Sequence, residues 1–324
     1  METTITPINP ILSHKMINSG NNSCVFHPNI PCNGEHENMK YVSKIQELNT
    51  NEIEIGEMIK TILDYDLYFA PIINSCDLEI AKVDKNEINK CELFSKKIKN
   101  FKNNTIRYVG NKNIIDYLKN AISNFKIIHS HLLEALRILC SKNIIHFDLK
   151  KSNIMYDENF KIPIIIDFGL SMTYPLDIDN FSFAYLPEYD PWCIDIIMIT
   201  YVYEEVENRI LEEEIEELLI DYCEKNLSFI FNFDNNQKEY WIGEHKKYFM
   251  KLLNESNTKK EFIQKIGDNY KTWDNFSLCV IIIKFLDCYK PNESKYMKQL
   301  SEIILSVPDK RLTIEECQKI FTKL

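Results

Sequence analysis

Two short segments carry the residue types most able to do chemistry: IIHFDLKKSNIMYD at 144–157 and IPIIIDFGLS at 162–171. In each, an apolar run of strand character delivers carboxylates to a loop. Asp148, Lys150, Asn153 and Asp167 are what phosphoryl transfer asks of a protein. A carboxylate orients an incoming hydroxyl and accepts its proton, a cation faces the transferred group, and oxygen ligands hold a metal against the phosphates. A lone Asp-Leu-Lys is common; H-x-D-L-K-x-x-N followed 14 residues later by D-F-G is discriminating.

These motifs resemble the eukaryotic-type protein kinase superfamily, whose catalytic loop reads H-R-D-L-K-x-x-N and whose metal motif reads D-F-G. The resemblance implies an α+β, two-lobed kinase-like fold, with a small β-rich N-lobe and a large α-helical C-lobe. It makes Asp148 the catalytic base, sets Lys150 against the γ-phosphate, and makes Asn153 and Asp167 ligands of Mg²⁺, with ATP as the phosphoryl donor. His146 is expected to be scaffold, as that imidazole is in the family. Lys150, two residues after Asp148, resembles the serine/threonine subgroup. Phe147 replaces the family's Arg, which in many members grips an activation-loop phosphate, so switching by that phosphate is not expected.

The resemblance extends to the N-terminal half. INSGNNSCVF at 17–26 aligns with G-x-G-x-x-G-x-V so that Asn18, Gly20 and Ser23 fall at the glycine positions, with Val25 left to cover adenine. Only one of the three is glycine, which predicts a stiffer or looser phosphate loop. Lys44 in YVSKI stands where the family's lysine pairs with the α- and β-phosphates. Its carboxylate partner is expected from the following helix: Glu54, with Glu57 as the alternative. The hinge is expected near Arg107 to Asn111. Further on, Leu186-Pro187-Glu188 resembles the close of the activation segment, and a buried Glu188–Arg311 pair is expected. The acid that braces the catalytic loop has two candidates, Asp274 in WDNFSLC and Asp190 in YDPWCID. Asp274 fits better, because a charged Asp195 follows Asp190 where a small residue belongs. WDNFSLC and LPEYDPW also resemble divergent kinases of large DNA viruses.

The elements that must position these residues follow from periodicity. Short apolar runs between Asn, Gly and Pro clusters over residues 12–48 read as hairpin strands. Ile55, Met58, Ile59, Ile62 and Leu63 recur at helical spacing from Asn51 to Leu63. Strand-like stretches lie at 70–73 and 105–109, and 114–140 reads as largely helical. The expected small lobe is therefore 12–110 and the large lobe 111–324, with inserted helices at about 189–270. Within that insertion the acidic run VENRILEEEIEELLIDYCEKN reads as a solvated helix face. At the end of the sequence, Thr313 and Glu316 form a capping-box pattern after a Pro-containing turn.

The sequence has 324 residues, 45% of them hydrophobic, enough for a large core, and its net charge of −10 makes nucleic acid an unlikely main partner. Ten cysteines without a C-x-x-C pair predict reduced thiols in a soluble protein, cytoplasmic or otherwise intracellular. The start METTITPINPILSHK lacks a basic n-region and apolar core, and no apolar run reaches membrane-span length, so no membrane insertion is expected. A protein substrate is expected; oligomeric state is not encoded in these patterns. Two other readings stand beside a serine/threonine protein kinase: a catalytically weak pseudokinase scaffold, and a small-molecule phosphotransferase of the aminoglycoside or choline kinase type. The intact D-F-G and Lys150 weigh against the second.

Overall fold

The structure, a computed structural model, describes residues 14–20, 22–32, 34, 36–95, 100–180, 184–290 and 292–324. The expected lobe start at residue 12, and Asn21 inside the phosphate loop, lie outside the described residues. The chain forms two compact units: residues up to Tyr65 with Ala70–Val109, and Asp66–Phe69 with Gly110–Leu324. Strands dominate the first and helices the second, the α+β organisation read from the sequence.

In chain order the first 110 residues give β1 (Lys15–Ser19), β2 (Ser23–His27), β3 (Tyr41–Glu47), α1 (Thr50–Lys60), β4 (Phe69–Ala70), β5 (Ile72–Asp77), α2 (Lys85–Ile88) and β6 (Phe101–Arg107). Five of these strands form an antiparallel sheet in the order β1-β2-β3-β6-β5. β3 lies in its middle and is buried from Val42 to Gln46. Helix α1 packs on β5, and Gly56 is the contact that lets it close: a Cβ there would lie 3.0 Å from the Ile72 carbonyl oxygen. Gly110, the first residue of the second unit's long segment, has φ of +123°, a conformation that glycine adopts without strain.

Four cysteines depart from the expected reduced state. Cys24 bonds Cys91, and Cys32 bonds Cys76. Cys24 and Cys91 lie in the buried cluster of Phe26, Ile30, Ile45, Val83 and Leu93. The pairs are separated by 67 and 44 residues, so only the folded sheet brings the sulfurs together.

The second unit contains α3 (Ile114–Leu118), α4 (Phe125–Ser141), β7 (Ile144–Ile145), β8 (Ile154–Asp157), β9 (Ile162–Ile166), β10 (Met172–Thr173), α5 (Ile194–Glu205), α6 (Glu212–Tyr222), α7 (Asn235–Asn254), α8 (Lys259–Gly267), α9 (Trp273–Tyr289), α10 (Ser294–Leu305) and α11 (Ile314–Phe321). β8 pairs with β9 and β7 with β10, both antiparallel. α5 and α9 are apolar around most of their circumference and run through the core. The acidic run becomes α6: Ile215, Leu218, Leu219 and Tyr222 point inward, while Glu212 and Glu216 take Lys246 of α7 at 2.9 and 2.6 Å. Thr313 and Glu316 cap α11 reciprocally.

Two consequences can be measured. Thiol alkylation of the denatured, unreduced protein should label six cysteines, rising to ten after reduction; ten in both cases would refute the disulfides. Burial holds the His129 imidazole down at about 3 and His245 at about 4, against an ordinary value of 6.5. The unfolded chain protonates these rings first as pH falls, so the stability they contribute as neutral groups is complete above pH 6.5 and is lost on the way down toward 4 and 3. By pH 5 the loss is on the order of 1 to 2 kcal/mol per ring. Melting curves should fall from pH 7 to 5, and His129→Phe should flatten the slope; a flat wild-type curve refutes it.

Candidate functional site

In the first unit Lys44 and Val25 face one another across the β2–β3 ladder. Lys44 is buried, and its Nζ donates to Glu52 Oε1 at 2.7 Å. Gln46, two residues on and therefore on the same strand face, donates its Nε2 to Glu52 Oε2 at 2.6 Å. The partner carboxylate is thus Glu52, not Glu54 or Glu57. Asn49 caps α1 by accepting from the Glu52 N–H at 3.1 Å, which fixes the helical phase so that Glu52, Ile55, Gly56 and Ile59 share the buried face. Glu54 is exposed, and Glu57 is exposed and bonded to Lys60. Gly20 sits in the β1–β2 turn, its N–H donating to the Ser23 carbonyl at 2.8 Å.

In the second unit the expected catalytic loop runs from His146 to Asn153. Asn153 donates its Nδ2 to the Asp148 main-chain oxygen at 2.9 Å and to Oδ2 at 3.0 Å. Lys150 Nζ also reaches Oδ2, at 2.9 Å. Burial lowers the Lys150 pKa, but its bonds to Tyr189 and Asp148 outweigh this and leave it raised. Asp167 follows β9 directly, and the register Ile154↔Ile165 puts Asn153 and Asp167 at the same end of the β8–β9 ladder. Asp167 has φ of +65° and Phe147 has +67°, conformations of non-glycine residues that cost about 1–3 kcal/mol and cluster at functional sites. His146 Nε2 lies 3.0 Å from the Ile166 carbonyl, so that nitrogen carries the proton. Its ring packs on Phe168, as scaffold.

Asp274 is the brace. Its Oδ2 and Oδ1 accept from the consecutive N–H groups of His146 and Phe147 at 2.7 and 3.0 Å. Burial raises the Asp274 pKa, against the pull of these two donors. Asp190 instead meets Lys284 at the exposed surface. Phe147, where the resemblance would have an arginine, lies with its ring against Trp192 and Trp273, at centroid distances of 5.1 and 6.3 Å. Trp192 Nε1 donates to the Phe147 carbonyl at 2.8 Å.

The expected Glu188–Arg311 pair is not formed. Arg311 Nη2 bonds Asp195 Oδ2 at 3.0 Å, with side chains 1% and 0% exposed. Glu188 is 74% exposed, near Lys225. Asp195 lies in the first turn of α5 and its carboxylate enters the core, where Trp273 Nε1 (3.3 Å) adds a second donor. The acid in the apolar run CIDIIMITYVY was the signal: a buried carboxylate demands a cation. Tyr189 was also missed. Its hydroxyl donates to Asp148 Oδ1 and accepts from Lys150 at 3.0 Å. Nothing in LPEYDPW marks it.

Residues 105–191 match the family model for the protein kinase domain, a span that holds Asp148, Lys150, Asn153 and Asp167. Over that span, about a quarter of its length, the chain is similar to protein kinase domains. It is similar to the LEAF RUST 10 disease-resistance locus receptor-like protein kinase-like 1.2 of Arabidopsis thaliana, 34% identical over 96 residues (27% of this chain, 14% of the relative). It is also similar to the probable serine/threonine-protein kinase mkcD of Dictyostelium discoideum, 34% identical over 79 residues (22% and 12%). Among solved structures, the Cydia pomonella granulovirus kinase PK-1 is 19% identical, with 65% of this chain and 68% of that chain covered and a TM-score of 0.38. This kinase-like chain thus spans at most 14% of the length of these curated relatives.

Asp167 and Asn153 offer hard oxygen donors, and among the described residues no group of three or more His, Cys, Asp or Glu could hold a metal. Two protein oxygens suit an ion that keeps water and phosphate oxygens in its remaining positions, as Mg²⁺ does. Both Asn153 contacts with Asp148 use its amide nitrogen. The amide oxygen is the atom left to face a cation. Among the described residues no helix is long and apolar enough to cross a membrane.

The Arg311 assignment can be tested. Arg311→Met leaves a buried, unpaired carboxylate and should cost about 3–5 kcal/mol of stability, whereas Glu188→Ala should change it by less than about 0.5 kcal/mol. Equal effects in chemical denaturation would overturn the assignment.

Proposed function

We propose that this chain transfers the γ-phosphate of ATP to serine or threonine hydroxyls of protein substrates. The observation that carries the reading is the constellation around Asp148: a buried carboxylate, held by Asn153 and Lys150 in a loop braced by Asp274. In the proposed mechanism the acceptor hydroxyl donates to Asp148, which takes its proton as the oxygen attacks the γ-phosphorus and the bond to the β,γ-bridging oxygen breaks, releasing ADP. Lys150 stays beside the transferred group and offsets its charge. Lys44, fixed by Glu52, stands where the resemblance puts the lysine of the α- and β-phosphates. Asn153 and Asp167 would hold Mg²⁺, which when bound neutralises phosphate charge. Val25 and Gly20 would lie along the nucleotide.

Serine/threonine preference is supported by Lys150 at its place two residues after Asp148, and by the printed name of the Dictyostelium relative. The glycine-poor turn around Gly20 favours, as the second reading, a nucleotide-binding scaffold with little transfer.

Purified protein with Mg²⁺ and labelled ATP should phosphorylate itself or a generic protein acceptor, and acid hydrolysis should yield phosphoserine or phosphothreonine. Asp148→Asn should lower transfer by about 10²-fold or more while nucleotide binding persists. An ATP-dependent rise in melting temperature without any transfer would favour the scaffold. Label confined to an aminoglycoside or choline would move the reaction to small molecules.

A further inference from the structure

Resting on the phosphotransferase reading, we propose that Tyr189 is an internal stand-in for the acceptor hydroxyl, so that an outside hydroxyl reaches Asp148 only by displacing it. Asp148 Oδ2 already receives Lys150 at 2.9 Å and Asn153 at 3.0 Å. Oδ1 is the oxygen left for an incoming hydroxyl, and the Tyr189 hydroxyl donates to it. The same phenol oxygen accepts from Lys150 Nζ at 3.0 Å, and the ammonium lies 5.6 Å from the ring centroid. Tyr189 thereby engages both groups that the reaction assigns to the acceptor and the transferred phosphoryl.

The phenol is held there by the fold. A turn places it: the Tyr189 N–H donates to the Leu186 carbonyl, and the Trp192 N–H donates to the Tyr189 carbonyl, each at 3.0 Å. The ring stands edge-on to Trp192 at 4.8 Å, and Trp192 is itself buried and tied to Phe147. The strand-to-loop geometry that orients Asp148 thus also orients its occupant. Burial, and donation to Asp148, push the phenol up to about 12, so it remains a donor throughout the neutral range. It therefore competes as a hydroxyl, as a serine or threonine would, and is not an anion repelled by the carboxylate.

Competition for one position predicts a specific kinetic split. The energy of the displaced contact is charged to acceptor binding, while the transfer step after displacement uses the same Asp148 and Lys150. The wild-type chain and Tyr189→Phe should be compared with Mg²⁺, ATP and casein or myelin basic protein as the acceptor. Tyr189→Phe keeps the ring on Trp192 and removes only the hydroxyl. Acceptor KM should fall about tenfold or more, the scale of a lost hydrogen bond to a charged group, with kcat within about twofold and KM for ATP unchanged. Tyr189→Leu, checked by its melting curve, should shift acceptor KM the same way. Transfer by wild type with acceptor KM unchanged or raised in Tyr189→Phe would overturn the stand-in and leave the phosphotransferase reading intact. A kcat loss at constant KM would also overturn it, since that marks a residue that aids the chemistry. No transfer by any of the proteins, with nucleotide binding retained, would remove the phosphotransferase reading and the stand-in together.

Discussion

The second unit turns on one buried carboxylate. Asp274 accepts from two consecutive backbone N–H groups that no strand or helix satisfies, and it does so from α9, more than a hundred residues along the chain. Hydrogen bonds to a charged acceptor are worth about 1.5–3 kcal/mol each, and leaving either N–H buried without a partner would add a desolvation penalty. That pair of bonds fixes the turn in which Phe147 takes a left-handed conformation and Asp148 is presented. Around it the support is continuous: the Ser171 hydroxyl donates to the His146 carbonyl, Trp192 to the Phe147 carbonyl, and Trp273, next to Asp274, donates to Asp195. Arg311 completes the set by neutralising Asp195. Two buried acids, each fully partnered, thus hold a loop and the start of a helix in register.

What was legible in the sequence was mostly local. Asp148, Lys150, Asn153 and Asp167 sit in short motifs whose spacing is set by a loop and one strand pair, so their positions could be read without any knowledge of distant contacts. The capping box at Thr313 and the inward face of α6 are likewise one-helix facts. Asp274 was identified because the order of small and apolar residues behind it is itself local.

The misses share a different cause. Glu54 fits a helix whose core face is Met58 and Ile62, but the buried face is Glu52, Ile55, Gly56 and Ile59, with Glu52 about 200° round from Glu54; the Asn49 cap and the need to clear Ile72 at Gly56 decide it. Arg311 was assigned to Glu188 by analogy of position, yet α5 carries Asp195 into the core and Glu188 stays in solvent. The disulfides join residues that only the sheet brings together. Tyr189 depends on a turn after Leu186 and on the orientation of Trp192, neither of which has a signature in its neighbours.

Phe147 gives the loop a thermal character. Where the motif it resembles has an arginine, this chain places an aromatic ring among two indoles, so the cohesion of that corner comes from water exclusion and ring packing. Such cohesion weakens on cooling and is reinforced by salts that are excluded from protein surfaces, the reverse of an ion pair, which ionic strength screens. The loop bearing Asp148 is therefore tuned by solvent and temperature where a charged corner would be tuned by counter-ions.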